Sequence, residues 1–95
     1  MIHFHITNHA IERLAQRIGY VSDVKEFMKS FCDVDSDILD LIKTTTEIVK
    51  GTTYLYTTLP SKRIVVACCK KYQFNTKKGV RTDYAVRTFL VFPSV

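Results

Sequence analysis

After Lys43 the chain changes texture, and no other feature constrains the fold as strongly. The segments TTTEIVKGTTYLYTTL, KRIVVACCKKYQF and VRTDYAVRTFLVF are dominated by Thr, Val, Ile, Tyr and Phe. Branched and aromatic side chains of this kind fit a pleated, half-buried surface. Gly51, LPSK and NTKKG punctuate the segments as turns. Connections this short join antiparallel neighbours, so residues 46–92 are expected to form a roughly four-stranded antiparallel sheet.

The preceding half follows a different period. MIHFHI alternates and suits a short strand or an extended lead-in. Thr7 or Asn8 is a good N-cap, and Ile11, Leu14, Ala15 and Ile18 then repeat at helical spacing until Gly19 closes the turn. A second helix is expected after Ser22, with Val24, Phe27, Met28 and Phe31 inward and Asp23 in its first turn. DVDSDILDLIK reads as a third, shorter piece with Ile38, Leu41 and Ile42 inward. The expectation is an α+β domain spanning residues 1–95. Two or three N-terminal helices, over residues 7–43, would cover one face of the sheet.

A chain of 95 residues, 46% hydrophobic, can build one core and has no room for a second. No apolar run approaches the roughly 20 residues that span a bilayer, so no membrane partner is expected. The first ten residues lack a basic region followed by an apolar stretch, which argues against an export signal. Three cysteines, two of them adjacent at Cys68 and Cys69, make a poor disulfide framework. They fit small strand residues in a reducing, cytoplasmic setting.

The net charge of +5 conceals an asymmetry. Residues 1–47 carry five basic and eight acidic side chains, whereas residues 48–95 carry nine and one. Residues 60–81 hold no acid, while Lys62, Arg63, Lys70, Lys71, Lys77, Lys78 and Arg81 all lie there. A field of this kind attracts polyanions, and nucleic acid is the expected partner.

The concentrated polar chemistry lies in TNHAIERLAQRIGY, residues 7–20, where His9, Arg13 and Arg17 recur every four residues. On a helix they form one ridge roughly 12 Å long, nearly opposite the stripe centred on Ile11. Two readings are open. The ridge is a solvated helix face, or it handles phosphate. It contains no acid, so it is not a stabilising salt-bridge ladder. Guanidinium forks clamp phosphate oxygens, and an imidazole exchanges protons near neutral pH. Together they suit metal-free RNA cleavage, in which a base removes the 2′-hydroxyl proton and the cations steady charge building on phosphorus.

NHAIERLAQRIGY resembles the H-A-x-x-R-x-x-x-R helix of small RelE-like toxin-type proteins and the helix of the RegB-type phage endoribonuclease. Helices followed by antiparallel strands, ending in DYAVRTFLVF, are also similar to that group's order of elements. The resemblance implies a RelE/barnase-like fold and a metal-independent endoribonuclease needing no cofactor. His9 and Arg13 would stand in the site with Arg17 beside them. It also implies, with the basic half to be masked, an acidic antitoxin segment as inhibitor. RNA, free or on the ribosome, is the substrate implied.

The sheet adds candidates. Tyr54 and Tyr56 point the same way along their strand and suit base stacking or packing under a helix. Arg87 suits either a phosphate contact or a cross-strand ion pair. Lys70 and Lys71 must face opposite sides, so one of them at most serves any one site on the sheet. Alternation groups Thr82, Tyr84, Val86, Thr88 and Leu90 on one face of the last strand, with Asp83, Ala85, Arg87 and Phe89 on the other. His3, His5 and His9 form a conceivable zinc set, but no Asp, Glu or Cys adjoins them, and no metal is expected. P-loop, dinucleotide-binding and zinc-protease motifs are all missing from the sequence. Two other functional classes remain beside the endoribonuclease. One is a non-catalytic nucleic-acid- or ribosome-binding module. The other is a phage-type factor that docks on a host protein.

Overall fold

A computed structural model of the chain describes residues 1–93. The elements in order are β1 (Ile2–Ile6), α1 (Asn8–Ile18), α2 (Val24–Met28), β2 (Cys32–Asp33), α3 (Ser36–Lys43), β3 (Thr53–Thr58), β4 (Ile64–Thr76) and β5 (Gly79–Phe92). The domain is therefore α+β, with two differences from the expected plan. The sheet has five strands in the order β1-β5-β4-β3-β2 rather than four, and β1 runs parallel to β5, so it is mixed. The helices do not precede the sheet as a block, because β1 comes before α1 and β2 lies between α2 and α3.

Local chemistry explains the helix ends. Thr7 is the N-cap of α1, and its hydroxyl accepts from the Ala10 N–H at 3.1 Å. Gly19 ends the helix at φ +100°, a left-handed value that suits glycine. Asp23 and Asp35 cap α2 and α3 in the same way as Thr7, accepting from Glu26 and Ile38. The second helix stops at Met28, earlier than its apolar repeat suggests. Cys32 and Asp33 are drawn into pairing with Tyr56 and Leu55, which requires an extended chain just after Phe31.

Helices cover both faces of the sheet rather than one. Ala10 and Leu14 of α1 and Met28 of α2 pack with Leu55, Val65, Ala67, Cys69, Tyr84, Val86 and Phe89. On the opposite face Ile38 and Ile42 of α3 pack with Tyr54, Ile64, Val66 and Phe92. Each large side chain buried this way contributes about 1.5–3 kcal/mol.

Strict alternation fails once, in β5. Cys68 pairs with Thr88 but Cys69 pairs with Val86, which leaves Arg87 as the extra residue of a β-bulge. Parity inverts across it. Tyr84 and Val86 share the α1 face with Phe89, not with Thr88 and Leu90. The same position is where β1 leaves the sheet, since Thr7 donates from its N–H to the Val86 carbonyl and from its hydroxyl to that of Arg87.

The β4–β5 hairpin outruns its neighbours. Strand β3 pairs with β4 only as far as Cys69, so residues 70–76 of β4 pair with β5 alone. Lys77 and Lys78 form the turn, and Gly79 closes it at φ +114°. At about 3.3 Å per residue, β5 is comparable in length to the whole molecule, whose extents are 43 × 30 × 22 Å.

Candidate nucleic-acid interface

The three ridge residues do not share one environment. His9 is exposed and Arg13 half-buried, and the Arg13 Nε–H donates to His9 Nε2 at 3.4 Å. In this contact His9 Nε2 takes the acceptor's part. Arg17 turns the other way. Its Nη1 donates to the Phe89 carbonyl at 2.6 Å, on the stretch of β5 that β1 no longer covers. The Arg17 carbonyl in turn accepts from Arg63 Nη2 at 2.7 Å, so a cation caps the C-terminal turn of α1.

The cause is a rotation of the helix. Ala10 and Leu14 are buried while Ile11 is 42% exposed. The inward face is thus turned by about 60° from the one centred on Ile11, which brings Arg17 to its border. His9 and Arg13 stay together as a candidate site, whereas the Arg17 fork is engaged by the sheet. Arg87 is exposed at the bulge, and the contact of its carbonyl with Thr7 sets it at the His9 end of α1.

The sheet candidates separate as well. Tyr54 is 7% exposed in the core under α3, and its hydroxyl accepts from the Val49 N–H, so it does not present a ring to a base. Tyr56 is half-buried beside the same cluster. Lys70 and Lys71 do point to opposite faces. Lys70 Nζ stands 5.5 Å from the centre of the Tyr72 ring, and Lys71 Nζ 5.9 Å from that of Tyr84.

Two features escaped the sequence reading. Tyr72 and Phe74 are exposed on the hairpin between the lysines, and the alternation in KKYQF carried that signal. The other is an ion-paired cluster on β1 and β5. Asp83 accepts from Arg81 Nε at 2.8 Å, from Arg81 Nη2 at 3.2 Å and from His5 Nε2 at 3.2 Å. The Arg81 guanidinium, aided by His5, holds the Asp83 carboxyl below the usual carboxylate range, against an opposing effect of burial. Arg81 and Asp83 are two apart on one strand, but no spacing announces His5 beside them, because that contact depends on the parallel register of β1 with β5.

The histidines are dispersed. His5 faces Asp83, His9 faces Arg13, and the Nε2 of His3 is buried without a hydrogen-bond partner. Among the described residues no three His, Cys, Asp or Glu side chains stand together as a metal-binding group. Burial pushes the Cys68 thiol up to about 11, partly opposed by the Arg17 charge, and the Cys69 thiol up to about 12. None of the described helices is long and apolar enough to cross a membrane. Comparison with protein-family models, curated proteins and solved structures returns no match.

Proposed function

We propose that the chain binds RNA and cuts it at His9 and Arg13 without a metal, as an endoribonuclease of the RelE- and RegB-like type. The observation that carries the reading is the Arg13–His9 hydrogen bond on an open helix face. It holds a proton acceptor and a permanent cation at one point. An incoming phosphate, being an anion, is a stronger partner for Arg13 than an imidazole nitrogen is. Its arrival frees the lone pair of His9 Nε2 to take the 2′-hydroxyl proton of the ribose. The 2′-oxygen then attacks the adjacent phosphorus, the bond from phosphorus to the 5′-oxygen breaks, and that oxygen takes its proton from solvent water. A 2′,3′-cyclic phosphate remains. Arg13, with Arg87 from the bulge, faces the charge that builds on phosphorus. Arg17 positions the helix through Phe89 instead of touching the substrate.

Purified protein incubated with RNA in EDTA tests the reading. Cleavage lost in His9→Ala and Arg13→Ala supports it, and intact RNA at saturating protein ends it. An acidic protein segment that covers the basic half would be the natural inhibitor.

A second reading has its own support. Arg13 is the one hydrogen-bond partner of the His9 ring among the described residues, so no carboxylate or second histidine is joined to it as an acid–base pair. That favours binding without cleavage on the same fold. The same assay separates the two, since this protein would retain RNA and leave it whole.

A further inference from the structure

We propose that the free end of the β4–β5 hairpin, residues 70–81, grips single-stranded nucleic acid by holding a base between Tyr72 and Phe74. The proposal rests on the RNA reading above and specifies the form of RNA that the chain takes.

Exposure is the first ground. Every residue from 70 to 80 is exposed, and Tyr72 and Phe74 keep 42% and 49% of their surface in solvent. A protein of this size that buries Phe89 and Tyr84 leaves these two rings without cover.

Spacing is the second. Lys70, Tyr72 and Phe74 alternate onto one face of β4, which sets the Cα atoms that carry the two rings about 6.8 Å apart along the strand. A base is about 3.4 Å thick, so one base fits between them in stacking contact with both. Lys70 lies over the Tyr72 ring at 5.5 Å, where its ammonium can meet the phosphate of the inserted nucleotide.

Charge is the third. In register, Tyr72 stands opposite Asp83 and Phe74 opposite Arg81. Asp83 is the sole acid of residues 48–95, and Arg81 and His5 already occupy its oxygens. Residues 70–81 therefore bring no free carboxylate of their own to a polyanion. A hollow of about 310 Å³ lined by Phe74, Thr76, Arg81 and Asp83 continues from the rings toward the tip, where Lys77 and Lys78 add two more cations.

The geometry selects single strands. In a duplex the flat faces of the bases are stacked on one another and cannot enter between two rings, whereas an unpaired base can. Because every base has such a face, the grip is tolerant of sequence.

Fluorescence anisotropy with a labelled 2′-O-methyl RNA of ten nucleotides, alone and as a blunt duplex, measures binding in the absence of cleavage. The single strand is expected to bind at least about tenfold more tightly than the duplex. Tyr72→Ala and Phe74→Ala should each weaken it by about tenfold, and Tyr72→Phe should not. Equal or tighter binding of the duplex overturns the proposal, as does wild-type affinity in both alanine variants. Failure of the cleavage reading is separate. Wild-type protein that holds the modified strand as stated but cuts no unmodified RNA leaves the grip standing. If His9-dependent cleavage proceeds with an unchanged KM in Tyr72→Ala and Phe74→Ala, cleavage stands and the grip falls.

Discussion

Arg17 reaches from α1 to the backbone carbonyl of Phe89 at 2.6 Å, and this contact fastens the helix to the sheet where β1 no longer does. Strand β1 accompanies β5 only to Val86. Beyond that point an edge of β5 would present unpaired backbone groups, a liability that proteins cover with helices and cations. The side chain of Phe89 is fully buried against α1 and α2, so its carbonyl and its ring hold the same helix by different means.

Replacing Arg17 with alanine should therefore act on stability before it acts on RNA. A charge-assisted bond at this partly solvated site contributes about 1 kcal/mol. For a domain of this size that corresponds to a fall of roughly 4–8 °C in Tm. Arg13→Ala should leave Tm within about 2 °C of wild type, since the hydrogen bond of Arg13 goes to an exposed side chain and not to the sheet. Paired thermal melts followed by circular dichroism read both values.

Asp83 predicts the acid limb of the stability curve. Its carboxyl is held below its ordinary value of 3.8, chiefly by the hydrogen bonds from Arg81. The folded state thus favours the ionised form, and that stabilisation is complete above the ordinary carboxylate range. It is lost as pH falls through 3.8 and below, when protonation releases Arg81 and His5. Urea midpoints measured from pH 6 down to pH 2.5 should show a steeper acid decline in wild type than in Asp83→Asn.

The cysteines should react unequally. Cys32 is exposed, whereas burial raises the thiols of Cys68 and Cys69 to about 11 and about 12. The thiolate is the reactive form, so at pH 7.5 a disulfide reagent should titrate one thiol promptly and the other two only on unfolding. Cys32→Ser should abolish the prompt phase.

Much of this arrangement was legible in residue order, and what was not shares a cause. Thr7 and Gly19 mark the ends of α1 because capping is local chemistry, and the β-forming texture after Lys43 marks β3, β4 and β5. The parallel seat of β1 against β5 joins residues about eighty positions apart, which no local pattern records. The bulge at Arg87 obeys the same limit. Its extra residue is defined against Cys68 and Cys69 of another strand, so simple alternation misassigned Phe89. On α1 the small Ala10, not Ile11, lies against the sheet, because a methyl group permits close approach. That choice brought the Arg17 fork to the Phe89 carbonyl and left His9 and Arg13 paired with each other. Tyr54 could have stacked a base or packed under α3, and the helix claimed it. Tyr72 and Phe74 were readable as rings among lysines. That they stand clear of any helix depends on how far β4 and β5 outrun their neighbours.

Cleavage at His9 is tested most directly by the ends it leaves. Unmodified RNA incubated in EDTA with wild-type protein should yield fragments ending in 2′,3′-cyclic phosphate, and 2′-O-methyl RNA should stay whole. His9→Ala should slow the reaction about 10²- to 10⁴-fold while keeping its affinity for the modified strand. Intact RNA at saturating wild-type protein, or undiminished cleavage by His9→Ala, would contradict the account.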